Sequence, residues 1–172
     1  CDMAFMALAS DMRELRSFQS AIQAAGLAVV DSYVSLTEVS EYAIGVPQEM
    51  LDARLYPKIP VPGKNAFCFY PMSKRRNADE NWFTLPFEER HAHMQEHGVS
   101  GRKFGPRVTQ LVTGSTGLDE YEWGVTLFAV HPDDLKEVVY TMRFDKASAI
   151  YAEFGQFYTG VLTPVEELVH TV

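Results

Sequence analysis

Two groups of side chains in this 172-residue sequence have types and spacing that could do chemistry. The first is Tyr70-Pro71-Met72-Ser73-Lys74-Arg75-Arg76, a phenol followed closely by three cations. With Arg54 upstream and Arg102 and Lys103 downstream, such a group suits a ligand that carries several carboxylates or phosphates. By composition alone a solvated charge run, or a nucleic-acid patch, is the commoner case. The second group is His91, His93 and His97. His93 and His97 are four apart, so on a helix they share a face. His93-Met94-Gln95-Glu96-His97 also spells H-x-x-E-H, the pattern in which two imidazoles hold zinc and a glutamate activates water. That pattern is short, and its third ligand would have to be Glu166 or Glu167, far downstream. A pair of solvated helix histidines is the plainer reading. A third is one neutral imidazole, His97, held out to a haem iron.

Elements must position these groups. Ala4–Leu8 is a short apolar run that predicts a buried strand. Ser10 and Asp11 can cap a following helix, whose apolar positions Leu15, Phe18, Ile22 and Ala25 recur at steps of three and four before Gly26. Leu27–Val39, rich in valine with partial alternation, predicts a second strand. Residues 41–64 carry Pro47, Pro57, Pro60 and Pro62, which reads as a linker with at most a short helical turn over Glu49–Leu55. Asn65–Met72 predicts a strand, and Pro86 opens a helix over Phe87–Lys103, broken near Gly98. Strands follow over Val108–Thr113 and Tyr121–Val130. The next helix has the stripe Leu135, Val138, Val139 and Met142, a second helical stretch covers Ala147–Phe154, and Phe157–Val161 is the last strand. Trp82, Trp123, Phe128, Phe144, Phe154 and Tyr158 read as core. Met72 reads as packing. Asp119, Glu120 and Glu122 read as a solvated turn and strand edge.

The second half is thus β-α-β-β-α-β, the ferredoxin-like order, and the first forty residues supply the closing β-α-β of the same order. The expectation is an α+β fold of tandem ferredoxin-like units (a dimeric α/β barrel), the first incomplete. Residues 1–40 would be the half unit, 41–64 the linker and 65–172 the second unit. A chain lacking roughly 60–80 preceding residues would explain the half unit. The alternative is that Ala4–Val39 extends the second sheet.

A net charge of −8 disfavours general binding to nucleic acid or an anionic membrane, so a basic site must be local. Two cysteines, Cys1 and Cys68, cannot build a disulfide framework, which fits a reduced, cytoplasmic setting. No apolar stretch approaches the roughly 20 residues of a membrane span.

Several ordered motifs add a resemblance. Cys68 to Arg76, Asn81-Trp82-Phe83, Leu85-Pro86, His97-Gly98 and Gly101-Arg102-Lys103 are similar to the coproheme decarboxylases, the chlorite dismutase-like enzymes of haem synthesis. So are Tyr121 to Val125, Met142 to Asp145, Ser148 and Glu153-Phe154-Gly155. The resemblance runs from about residue 50 to 161, and more loosely over residues 1–40. It implies peroxide-dependent decarboxylation of two propionates of iron coproporphyrin III (coproheme) to vinyl groups, giving haem b. Tyr70 then matches the tyrosine whose radical attacks a propionate. His97 matches the iron ligand. Arg54, Lys74 and Ser148 match groups that hold propionates, and Arg102 adds a contact. The backbone of Pro71, Met72 and Ser73 would lie along the porphyrin. Gln110 matches a distal glutamine, where chlorite dismutases carry arginine. Lys74 would steady a carboxylate and favour the deprotonated phenol. A homopentamer is also implied. The competing functions are a haem-binding protein without the reaction and, remotely, a zinc hydrolase through His93, Glu96 and His97.

Overall fold

A computed structural model describes residues 2–168; Cys1 lies outside them. The chain divides into two compact units, one up to Tyr33 and one from Val34 onward.

The first unit contains one helix, α1 (Met12–Ala24). Asp11 caps it by accepting the Arg13 N–H at 2.8 Å, and Gly26 leaves it at φ +94, a left-handed turn that glycine adopts without strain. Phe5 and Phe18 meet edge to face with centroids 6.4 Å apart. The strand expected over Ala4–Leu8 does not form. Of Leu27–Val39 only β1 (Leu36–Thr37), in the second unit, is strand. Extended backbone becomes a strand only where a neighbour satisfies its N–H and C=O groups. Here the partners are Thr113 and Gly114 alone.

The second unit is an antiparallel sheet with helices. Its other strands and α-helices are α2 (Gln48–Leu55), β2 (Ala66–Lys74), α3 (Phe87–Arg102), β3 (Val108–Gly114), β4 (Trp123–Ala129), α4 (Pro132–Met142), α5 (Lys146–Ala149), β5 (Ala152–Phe154), β6 (Tyr158–Val161) and α6 (Val165–Leu168), with a 3-10 turn over Trp82–Thr84. Strand order is β1-β3-β4-β2-β5, with β6 also on β2. Consequently β2 is central. β4 runs along one side of it from Ala66 to Met72. On the other side β6 pairs with Ala66–Phe69 and β5 with Met72–Lys74. The β-α-β-β-α-β succession is the one expected from the sequence.

Alternation along the strands sets two faces. Ala66, Cys68, Tyr70, Val125, Leu127 and Ala129 form one core with Phe104, Leu135 and Val138. Leu135 and Val138 lie on the stripe that the sequence predicts for α4, and burying each contributes roughly 1.5–3 kcal/mol. Cys68 is buried there as a free thiol. A second cluster of Trp82, Ala147 and Tyr151, with Met94 and Leu85, ties α3 and α5 to the end of β2.

Four expectations are corrected. α3 runs unbroken through Gly98, whose propensity cost of about 1 kcal/mol is small beside the tertiary ties of the same turns. The helix expected over Ala147–Phe154 stops at Ala149, because the chain becomes β5 and satisfies the free edge of β2. The region read as a linker carries a helix, α2, of two turns. Phe144 and Phe154 are not core residues but 67% and 43% exposed.

Candidate functional site

A period of two puts Tyr70, Met72 and Lys74 on one face of β2. That face borders a cavity of about 1380 Å³, larger than the roughly 300–1,000 Å³ of an ordinary small-molecule pocket. Arg54, His97, Arg102, Gln110 and Ser148 line the same cavity. Eight of the residues singled out in the sequence therefore converge from five elements. Pro71 and Ser73 do not reach it: the same alternation turns them to the other side, where Pro71 packs at Gly155 and Ser73 Oγ accepts the Glu122 N–H at 3.2 Å.

The basic run is also split. Arg75 pairs with Glu80 at 2.8 Å, and Arg76 with Glu122, so neither lines the cavity. Lys74 does. It is 9% exposed, its Nζ donates to the Ala147 carbonyl, and the ammonium stands 4.6 Å from the Trp82 ring centroid. Burial pushes this amine down to about 8, against the pull of the Glu122 carboxylate. A buried lysine with one carbonyl and one aromatic face is short of an anion. Lys58 and Arg143, neither of them given a binding role from the sequence, add further cations to the lining.

Tyr70 is 8% exposed and stacked against Phe157 with centroids 4.4 Å apart; Phe154 meets it edge-on at 5.7 Å. Burial pushes the phenol up, out of reach of ionisation at neutral pH. Burial thus works against the phenolate that Lys74 was expected to favour.

His97 projects from α3 with Nδ1 placed 3.2 Å from Asp145 Oδ2 and 3.4 Å from Ser148 Oγ. The other oxygen of Asp145 accepts Ser100 Oγ–H at 2.7 Å, so one buried carboxylate faces two residues of the same helix. Burial and the nearby Lys74 charge hold the imidazole below its usual value, with Asp145 opposing them. That shift favours the uncharged ring, and with Nδ1 turned to Asp145 and Ser148, Nε2 is the nitrogen left to meet a metal. Asp145 ends the Met142–Asp145 motif, but its place beside His97 was not assigned, because the two are 48 residues apart and no local pattern links them.

The other histidines do not join His97 as ligands. His91 borders the cavity but stacks on Phe87 and Tyr42, while His93 faces Glu89 at 3.7 Å and packs by Trp82 and Tyr151. Glu166 and Glu167 lie in α6, away from the cavity lining. Among the described residues no three His, Cys, Asp or Glu side chains gather as a metal cluster. Nor is any helix among them long and apolar enough to cross a membrane.

A wide cavity with apolar walls, several cations and an uncharged imidazole backed by a carboxylate fits a flat metal macrocycle with an anionic rim. Comparison with known proteins agrees. The Chlorite dismutase family model matches residues 1–163. A coproheme decarboxylase from Staphylococcus carnosus is 44% identical over 177 residues, covering 97% of this chain and 70% of that protein. The structure of a novel heme-binding protein from Thermus thermophilus matches with TM-score 0.85 and 37% identity, over 94% of this chain and 67% of that one. A chlorite dismutase variant from Candidatus Nitrospira defluvii shares the fold at TM-score 0.76 and 21% identity, over 95% and 69%.

Proposed function

This chain belongs to the chlorite dismutase family, and from that premise we propose that it is a coproheme decarboxylase. In this reading it oxidises two propionates of iron coproporphyrin III to vinyl groups with hydrogen peroxide, giving haem b. The observation that carries the reading is the convergence of Tyr70, Lys74 and His97 on one cavity. For each propionate, one peroxide takes up two electrons; the side chain loses a hydrogen and carbon dioxide, one proton is taken up from solvent, and two waters form.

When bound, the iron porphyrin supplies both the substrate and the redox centre that peroxide oxidises. The chain's own residues do the rest. His97 Nε2 would hold the iron, with Asp145 fixing the ring through Nδ1. Arg54, Lys74, Arg102 and Ser148 would take the propionates, which explains why cations collect in an acidic protein. Met72 would lie along the ring, and Gln110 would face it. Tyr70 supplies a protonated phenol on a stiff strand, and a phenol has a hydrogen atom to give up where phenylalanine has none. Its Oη is the group that would then take a hydrogen from the propionate β-carbon. Lys74 would steady the neighbouring carboxylate as carbon dioxide leaves.

A cytoplasmic homopentamer belongs to the same reading, as does the assignment of 1–40 to a first ferredoxin-like unit, 41–64 to a connection and 65–172 to the porphyrin-carrying unit. The second reading is a protein that holds haem without reacting, favoured by the likeness to the Thermus heme-binding protein.

The test is a titration with iron coproporphyrin, then peroxide, with the porphyrin products identified by mass. Successive losses matching two decarboxylations are expected. Binding with no carbon dioxide released would favour the carrier. Tyr70→Phe should bind and not convert, and an unchanged rate in that variant would sink the proposal.

A further inference from the structure

The pairing of β2 with β4 ends at Met72 opposite Trp123, two residues before Lys74. Beyond that point a strand would lose its ladder on the β4 side, and the Lys74 N–H would have no carbonyl to meet. The residue just before β4 replaces the missing strand. Glu122 Oε2 accepts the Lys74 N–H at 2.9 Å, and Oε1 takes the Arg76 guanidinium. Its own N–H goes to Met72 O at 3.1 Å and Ser73 Oγ at 3.2 Å, and its carbonyl accepts Ser115 N–H at 2.8 Å. A single residue, 7% exposed, thus clamps Met72, Ser73, Lys74 and Arg76.

Burying a carboxylate is costly, and a clamp of neutral groups would hold a strand end as well. What a carboxylate adds here is charge beside a lysine whose own partners are a carbonyl and an aromatic ring. We propose that Glu122 is a positioning residue for the porphyrin site: by fixing the β2 end and its charge, it sets the place at which Lys74 meets a ligand carboxylate. The inference rests on the reading that Lys74 takes a propionate.

A double-mutant cycle tests it without turnover. The dissociation constant of metal-free coproporphyrin is measured by fluorescence for the protein and for Glu122→Gln, Lys74→Met and the double variant, with melting recorded for each. Glu122→Gln alone should weaken binding roughly tenfold, and in the Lys74→Met background should add less than about twofold, because the two residues act as one unit. Arg76→Gln, at a side chain 64% exposed, should weaken binding in the same direction by about threefold and stay folded. If Glu122→Gln fails to fold, Arg76→Gln in the two backgrounds decides. Equal losses with and without Lys74 overturn this inference alone. No binding by the unaltered protein overturns both it and the function it rests on.

Discussion

Asp145 Oδ2 stands 3.2 Å from His97 Nδ1, with 7% of the aspartate side chain and 23% of the histidine exposed. Helix α3 brings the imidazole and the turn before α5 brings the carboxylate, so the contact exists only when α3 and α5 are packed through Trp82 and Ala147. Removing the carboxylate should leave His97 in the cavity but free to rotate. Asp145→Asn is therefore expected to weaken iron-porphyrin affinity about 10- to 100-fold, the usual effect of losing a partner behind a metal-binding histidine. His97→Ala should do more. A Soret titration of both variants checks this; equal affinities in Asp145→Asn and the unaltered protein would show that the contact does not orient the ring.

The same histidine makes the ligand-free protein sensitive to acid. Its value in the folded state is lowered, so below the ordinary value of about 6.5 the unfolded chain binds a proton that the folded one refuses. Stability should be full above that pH and fall as pH drops through it. Melting of His97→Gln between about pH 7 and 5 should decline less steeply than melting of the unaltered protein.

Lys74 acts in the alkaline range. With the amine at about 8 folded against 10.5 unfolded, folding releases a proton between these values. Stability is greatest above the upper value and is lost as pH falls towards 8, by up to roughly 3 kcal/mol. Lys74→Met should flatten that slope. A bound polycarboxylate should do the same by giving the ammonium its missing anion. Thermal melts at a series of pH values, with and without coproporphyrin, would reveal a slope unaffected by either if the assignment is mistaken.

Tyr70 should be silent in an ultraviolet titration as pH passes about 10, where an exposed phenol ionises. Phe157→Ala removes the ring stacked on it at 4.4 Å and should let water in, bringing that ionisation down towards its ordinary range. A difference spectrum for the Tyr70→Phe variant assigns the signal. If Phe157→Ala leaves the ionisation unchanged, the stacked ring is not what keeps water from the phenol.

At Gly155 an added methyl would meet Pro71 Cγ at 2.7 Å and the Tyr121 ring at 2.9 Å. Gly155→Ala should cost about 1–3 kcal/mol of stability, as overpacking does, and disturb the pairing of β5 with Met72–Lys74. Chemical denaturation measures the loss. A change under about 0.5 kcal/mol would show that Pro71 yields easily.

Much of this molecule is legible from local pattern. The helix stripe of α4, the cap at Asp11, the strand before Lys74 and the β-α-β-β-α-β order all follow from periodicity and punctuation, which act over a few residues. Tyr70, Lys74 and His97 stood out by type and spacing, and the ordered motifs pointed to the family that the comparisons then showed. Where the reading failed, the missing quantity was a partner. Ala4–Leu8 has the composition of a strand and, among the described residues, no strand to pair with. Glu122 looks like a solvated turn residue until the end of the β2–β4 ladder is seen to need its oxygen.

The basic run shows the division most clearly. By itself the sequence determined that three cations follow a phenol near the end of one strand. It could not say that pleating sends Lys74 into the cavity, or that Glu80 and Glu122 draw Arg75 and Arg76 away from it. Nor could it show that burial works against ionising the phenol. Those outcomes depend on burial and on charges brought near from distant parts of the chain, and both arise only when the sheet and its helices close on one another.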